Sequence, residues 1–194
     1  VQNNIVDKAN QSFLSSLSAD DGAIVLRGKN ADGSVPTGFD VTGNTVTNSK
    51  VGVYVENSMT GTDVAISGNT ISDNKTAIQN KADEVVDAVH NDWGTTDPAE
   101  LGNSMKGQVD FSNFITGYDD DNQPIYSELT IDYSVVYVDS QKSGAQVVDG
   151  KMVMFYKSAS TAISNAVTGT VVVSEATPTT SVSVPEGITF KVGD

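Results

Sequence analysis

The sequence predicts an all-β protein in which short strands recur at a regular spacing. Of its 194 residues, 38% are hydrophobic and 17 are glycine. Asn, Ser, Thr and Val are also frequent, and this composition favours many short strands and polar turns over amphipathic helices. In addition, residues 38–55 align without a gap on residues 63–80. A repeat of this length is typical of coils that stack on one another.

The repeat defines the size of one coil. Gly43–Val46 corresponds to Gly68–Ile71, and Val53 corresponds to Ile78, at an offset of 25 residues. Such a length is enough for three strands of about 3–5 residues joined by turns. Because one coil cannot close a core alone, we expect the aliphatic residues of one repeat to stack on those of the next. The residues predicted to point inward are Val41, Val46, Val51, Val53, Val55, Val64, Ile66, Ile71 and Ile78.

The Gly-Asn pairs of the repeat predict tight corners. Gly43 and Gly68 stand where a corner needs a residue that tolerates positive φ. The asparagine that follows can bond to its own backbone or to the asparagine one coil away. We therefore expect Asn44 to stack on Asn69, with Asn4 beneath them, as an asparagine ladder.

Residues 1–26 indicate an earlier and less regular coil. Asn3–Val6 resembles the Gly-Asn-Thr-Val corner of the repeat. The insertion Gln11–Asp21 interrupts this coil, and insertions in solenoids project from corners and often carry ligand sites. Because the chain begins at Val1 without an initiator Met or a leader, we expect a processed or excised segment.

The repeat resembles the right-handed parallel β-helix repeat family. This pectin-lyase-like superfamily includes carbohydrate-active enzymes, phage tailspikes and many bacterial and archaeal surface proteins. Asp87–Gly94, followed by Asp97-Pro98, is similar to the segment that closes the last coil in the surface-protein branch, with Asp92 in place of the usual aromatic residue. The resemblance covers roughly residues 1–100 and implies a right-handed solenoid. It implies no particular activity, because this fold carries lyases, hydrolases, adhesins and structural segments.

Charge and composition restrict the classes of partner. Eleven Lys and Arg against 25 Asp and Glu give a net charge of −14, so neither nucleic acid nor an anionic lipid surface is an expected partner. The chain has no cysteine, which excludes thiolate metal sites and thiol nucleophiles. This suits an extracellular location, although a cysteine-free cytosolic protein is also ordinary. No apolar run approaches the roughly 20 residues of a membrane-spanning helix.

The chain is predicted to divide into three segments, of which the second and third are smaller than the first. Residues 1–105 form the β-helix coils with their closing segment, and residues 106–150 form a β-rich connector. Residues 151–194 comprise a short helix, beginning at Ser158 and ending by Gly169, and strands that resemble the start of a β-helix. Either the chain is one slice of a protein with tandem β-helices, or its two ends meet, within one molecule or between copies.

Three residues are candidate binding positions. Asp119 and Asp121 lie in an acidic loop and offer carboxylates for Ca²⁺, which takes about six to eight oxygen ligands; a hydrated loop without metal is the alternative. No other cofactor is expected. Trp93 is a candidate for stacking on a sugar ring, although in this motif the Trp more often plugs the solenoid end by burying its apolar face.

A carbohydrate-active enzyme is the alternative class. Lyases of this fold use Ca²⁺-binding carboxylates beside an Arg or Lys base, but Arg27, the single arginine, has no paired row of acids nearby. A hydrolase needs two carboxylates about 5–10 Å apart, and Asp40 and Asp63 are candidates that also suit solvated turns. His90, the single histidine, is expected to cap the coils beside Trp93. We therefore predict no catalytic residue.

These observations predict a non-catalytic structural or adhesive module of an extracellular surface protein. We expect self-association, end to end into a fibre or a layer, or contact with neighbouring domains of a longer chain, because uncapped solenoid ends expose unpaired strand edges. Glycans are the other candidate partners, through a carbohydrate-recognition role.

Overall fold

The computed structural model describes residues 1–9, 22–28, 33–34, 37–60 and 63–193. The insertion predicted at Gln11–Asp21 lies outside these residues. The protein is predominantly β and divides into two compact units. Unit 1 comprises Val1–Thr96 and Ser104–Glu128, and unit 2 comprises Asp97–Asn103 and Leu129–Asp194.

Unit 1 is built from strands of two to four residues. In chain order they are β1 (Ile5–Asp7), β2 (Ile24–Leu26), β3 (Phe39–Thr42), β4 (Thr45–Thr47), β5 (Val53–Val55), β6 (Val64–Ser67), β7 (Thr70–Ser72), β8 (Ile78–Asn80), β9 (Val86–Asp87), β10 (Met105–Lys106), β11 (Val109–Asp110), β12 (Ile115–Tyr118) and β13 (Pro124–Tyr126). The first eleven form three parallel sheets, with the orders β1-β4-β7, β2-β5-β8-β10 and β3-β6-β9-β11. Strands β12 and β13 form a separate antiparallel pair.

The chain visits the three parallel sheets in rotation. Each of the strands β1 to β6 pairs in parallel with the strand three elements later. Val46 pairs with Ile71, and Val53 pairs with Ile78, so the offset read from the sequence is confirmed as the pairing register. Parallel pairing requires a crossover between paired strands, and here the other two sheets supply it.

Alternation within the strands places aliphatic side chains in a shared core. In β4 and β7 the central residue is buried, whereas its neighbours are half-buried, as the two-residue period of a strand dictates. All nine residues predicted to point inward are buried, which confirms that prediction. The corners at Gly43 and Gly68 have φ of 65° and 63°, in the left-handed region that favours glycine.

Unit 2 contains one five-stranded mixed sheet. Its elements are helix α1 (Pro98–Ser104), which continues into unit 1 at its last residue, β14 (Ile131–Val138), β15 (Gly144–Val148), β16 (Lys151–Tyr156), helix α2 (Ala159–Ser164), β17 (Val171–Ser174) and β18 (Thr189–Val192). The order is β15-β16-β14-β17-β18, and only the β15–β16 pair is antiparallel. This sheet takes strands from both predicted segments, 106–150 and 151–194. The second β-helix predicted to open in residues 151–194 stays a prediction.

Helix α2 begins where the sequence signal placed it. The Ser158 side chain accepts a hydrogen bond from the backbone N–H of Thr161 at 3.2 Å, which caps the helix. Ala162 and Ile163 are buried where α2 packs against β14, β16 and β17. The helix ends at Ser164, before the predicted stop at Gly169, because Asn165 leaves helical geometry and its N–H is bonded to the carbonyls of the last turn.

The Asp139 carboxylate stabilises the turn between β14 and β15, and this predicts acid sensitivity. Its Oδ1 accepts the N–H of Gln141 at 2.8 Å, and its Oδ2 lies 3.4 Å from Nζ of Lys142. The Gln141 N–H, and then Lys142, hold the pKa of Asp139 below its ordinary value of 3.8. With the folded pKa depressed, the stabilisation is complete above the unfolded pKa and is lost as the pH falls through the folded pKa.

We therefore expect Asp139→Asn to lower the stability of unit 2 at neutral pH, and we expect the difference from the unsubstituted protein to shrink as the pH falls below 3.8. Urea denaturation of both proteins, repeated from neutral to acidic pH and followed by circular dichroism, measures this difference. A difference that stays constant across the acid range would contradict the role of the ionised carboxylate.

Candidate functional site

An asparagine ladder runs through unit 1 and positions the site. Oδ1 of Asn44 accepts hydrogen bonds from the backbone N–H and from Nδ2 of Asn4, both at 3.0 Å. Oδ1 of Asn69 accepts the same pair of bonds from Asn44, both at 2.9 Å. The predicted ladder of Asn4, Asn44 and Asn69 is thus confirmed. Each amide also donates to backbone carbonyls, which satisfies polar groups that would otherwise be costly to bury.

The ladder has a fourth rung, Asn91, which the sequence reasoning missed. Oδ1 of Asn91 accepts from the N–H and Nδ2 of Asn69 at 3.0 and 2.9 Å. The preceding residue, His90, has a φ of 59° and so takes the place of the corner glycine. His90–Trp93 is therefore a fourth copy of the corner. The signal that could have found it is the Asn in a turn followed by one polar and one apolar residue, 22 residues after Asn69.

Trp93 occupies the inner position of this fourth copy. Asp92 forms an isolated parallel bridge with Thr70, so the next residue, Trp93, follows the stack that contains Val46 and Ile71. Trp93 is 4% exposed, and its Nε1 has no hydrogen-bond partner among the described residues. This burial supports the role of a plug, while the sugar-stacking role of Trp93 stays a prediction.

Phe114 ends the ladder. The N–H of Ile115 donates to the carbonyl of Asn91 at 3.0 Å, just as the N–H of Asp92 donates to the carbonyl of Asn69 at 2.8 Å. Phe114 therefore stands at the position of the next rung. It is 1% exposed and has no side-chain amide to continue the ladder. The following residues form β12, which therefore begins close to Asp92.

A groove lies between β12 and the segment that follows Asn91. It has a volume of about 410 Å³, within the range of roughly 300–1,000 Å³ that ligand sites occupy. Its walls come from two stretches of chain that the Ile115–Asn91 hydrogen bond holds side by side. The lining residues are Asp92, Gly94, Thr95, Thr96, Ile115, Thr116, Gly117 and Tyr118.

The groove combines an aromatic ring with a carboxylate. Tyr118 is 49% exposed. Desolvation first, then the negative charge of Asp92 and a side-chain hydrogen bond to Asp92, and last Tyr126, raise the pKa of the Tyr118 phenol. Oδ1 of Asp92 accepts the N–H of Gly94 at 2.9 Å, which fixes the carboxylate. The phenol therefore stays protonated at neutral pH beside a held acceptor.

The acidic loop predicted as a Ca²⁺ site forms the turn of the β12–β13 hairpin. Oδ1 of Asp119 accepts the N–H groups of Asp121 and Gln123 at 3.0 and 2.7 Å, and the Asp119 N–H donates to the Gln123 carbonyl at 2.9 Å. One oxygen of Asp119 thus serves the turn itself. Among the described residues, no group of three or more His, Asp or Glu side chains is arranged to hold a metal ion, and Ca²⁺ binding by Asp119 and Asp121 stays a prediction.

The other residues singled out in the sequence lie apart from the groove lining. Arg27 is in an ion pair with Glu56, with 3.9 Å between Nε and Oε1. Asp40 lies in β3 opposite Ala65, and Asp63 directly precedes β6, so each acid lies in or next to one of two paired strands. The His90 ring contacts the edge of Tyr126, with 4.7 Å between ring centroids.

Comparison with known proteins returned no match among family models, curated proteins or solved structures. In the described part of the chain, no helix combines the length and apolarity that a membrane span requires.

Proposed function

We propose that unit 1 is a right-handed parallel β-helix and that the protein is a non-catalytic structural or adhesive module of an extracellular surface protein. The observation that carries this proposal is the four-rung asparagine ladder beside three parallel sheets that the chain visits in rotation. This arrangement supports a solenoid, in which each coil is held only by its neighbours.

The chemistry of the ladder favours a scaffold over a reaction centre. Asn44, Asn69 and Asn91 are at most 2% exposed, and their amides are engaged with one another and with backbone carbonyls. A buried polar network of this kind rigidifies and specifies one packing when its members are satisfied. Such interior residues are not accessible to a substrate.

The first coil supplies the surface for assembly. Strands β1, β2 and β3 each stand at the outer end of their sheet, so each has a pairing strand on one side in the described part of the chain. Unpaired strand edges are templates for pairing with another chain. Ile5 in β1 is also 83% exposed. We infer end-to-end association through this coil, with a second copy or a neighbouring domain of the same protein as the partner.

Assembly is testable with the isolated chain. We expect light scattering to show growth with protein concentration, and negative-stain microscopy to show fibres or layers, with and without Ca²⁺. Ile5→Lys should reduce assembly because a lysine on an edge strand opposes pairing. The matched control is Val184→Lys, which replaces an exposed valine outside the strands. Monomers at every concentration and in both calcium conditions would overturn the assembly proposal.

A further inference from the structure

The surface chemistry of the groove beside β12 is complementary to that of a sugar. A hexose presents C–H bonds on its ring faces and hydroxyl groups around its rim. In the groove, the half-exposed ring of Tyr118 and the nearly buried Ile115 are the apolar part, and the Asp92 carboxylate and threonine side chains are the polar part. An aromatic ring with a polar tip suits such a ligand because it buries apolar area while a hydroxyl remains available for hydrogen bonding.

The side chain of Asp92 and the strand that carries Tyr118 are both held by hydrogen bonds from the backbone before any ligand arrives. The Gly94 N–H fixes the Asp92 carboxylate, and the Tyr118 phenol also bonds to it, yet a carboxylate has about four acceptor positions, so these two bonds leave others for sugar hydroxyls. Tyr118 lies at the end of β12, opposite Pro124 in β13, and the Asp119 turn closes that hairpin. Such preorganisation reduces the entropy lost on binding.

Charge decides between neutral and acidic sugars. The lining includes the Asp92 carboxylate and no Lys or Arg, and the chain carries a net charge of −14. A uronic acid or a sulfated sugar would meet like charge without a cation to neutralise it. A neutral sugar meets no such repulsion, and its hydroxyls form strong hydrogen bonds to an ionised carboxylate.

We propose that this groove binds a neutral oligosaccharide, with the ring of Tyr118 as the stacking platform and the carboxylate of Asp92 as the acceptor for sugar hydroxyls. This inference rests on the proposed function, because it names the class of ligand that an adhesive module would bind. Thr116 adds a positioned oxygen, because its Oγ1 donates to the Ile125 carbonyl at 3.0 Å and so keeps its lone pairs for a sugar hydroxyl.

The test is a titration of the ¹⁵N-labelled Ile5→Lys chain with single tetrasaccharides, because the assembly expected of the unsubstituted chain would broaden its amide signals. The neutral probes are maltotetraose, cellotetraose, mannotetraose and tetra-N-acetylchitotetraose, and the acidic probe is tetragalacturonic acid. We expect at least one neutral probe to shift the amide signals of Gly94, Thr95 and Gly117 saturably in the millimolar range, and we expect no such shift with tetragalacturonic acid. Absence of any shift with all four neutral probes, or binding of the acidic probe alone, would overturn the proposal.

Substitutions assign the two roles. We expect Tyr118→Ala to weaken binding about tenfold, since loss of the stacking face is worth up to one factor of ten. Tyr118→Phe keeps the ring and should retain most of the affinity, whereas Asp92→Asn should weaken binding about fivefold through loss of the charge. The matched control is Ile125→Ala, because Ile125 lies in the same hairpin, is also 49% exposed and is outside the groove lining.

Binding and assembly are separable in this design. In the Ile5→Lys background the spectrum of each variant reports whether the chain is folded, and light scattering of the chain without Ile5→Lys reports assembly. Unchanged sugar affinity of a folded Tyr118→Ala chain would remove the groove proposal and leave the scaffold proposal intact. If the protein stayed monomeric and bound a neutral tetrasaccharide through Tyr118, the assembly proposal would be removed and the groove proposal would stand.

Discussion

Replacement of Asn69 by alanine is expected to lower the free energy of unfolding of unit 1 by about 3–5 kcal/mol, because several buried polar groups lose their partners at about 1–3 kcal/mol each. The backbone N–H of Asn44 would lose its acceptor. The carbonyls of Val41 and Ser67 would lose the Asn69 amide as donor. Asn69 is 2% exposed, so little water reaches the groups left behind.

Urea denaturation followed by fluorescence measures this loss directly. Trp93 is the only tryptophan of the chain, and it is buried in unit 1 near the ladder, so its emission reports the unfolding of that unit. The matched control is Asn57→Ala, an exposed turn position at which we expect a change within about 0.5 kcal/mol. A loss below about 1 kcal/mol for Asn69→Ala would mean that the ladder bonds contribute no more than exposed ones.

The sequence predicts the strand register of unit 1 because the physical cause of that register is repeated in it. Gly43–Val46 and Gly68–Ile71 share a corner, a ladder residue and an inward aliphatic residue, and these three features together determine the pairing register. Asn91 was not predicted as a rung because its copy of the corner lacks two of these three features. His90 replaces the glycine, Trp93 replaces the aliphatic residue, and the spacing falls from 25 to 22 residues.

The groove could not be predicted, because its two walls are distant in sequence and no repeat links them. Residues 92–96 and 115–118 meet through the hydrogen bond from the Ile115 N–H to the Asn91 carbonyl. The hairpin that follows was not predicted either. The Asp119 side chain caps its tight turn and allows β12 and β13 to pair.

The pairing of the strands in the sheet of unit 2 could not be predicted from the sequence either. Strand β14 pairs with β16 on one side and with β17 on the other, and these parallel pairings join segments without internal similarity. Alternation in β14 and β16 is weak, since β16 is buried at four consecutive positions, and a continuous apolar run indicates a buried strand without indicating its neighbour. The helix start at Ser158, by contrast, was encoded locally.

Replacement of Trp93 by alanine is the second substitution with a large expected effect. Removal of a buried Trp costs about 3–5 kcal/mol through lost burial and the cavity that remains, and Trp93 continues the inner stack of Val46 and Ile71 at 4% exposure. Trp93→Phe should cost less, because it retains most of the apolar volume and removes an N–H that has no partner among the described residues.

Circular dichroism during urea denaturation measures these variants, since they lack the fluorescent probe. The matched control is Tyr118→Ala, which removes an aromatic side chain that is 49% exposed and should change stability by less than about 1 kcal/mol. The same variants separate packing from ligand binding. If Trp93→Ala retained its stability and lost affinity for neutral tetrasaccharides, Trp93 would be a ligand residue and the last coil would be closed by Phe111 and Phe114, which are also buried.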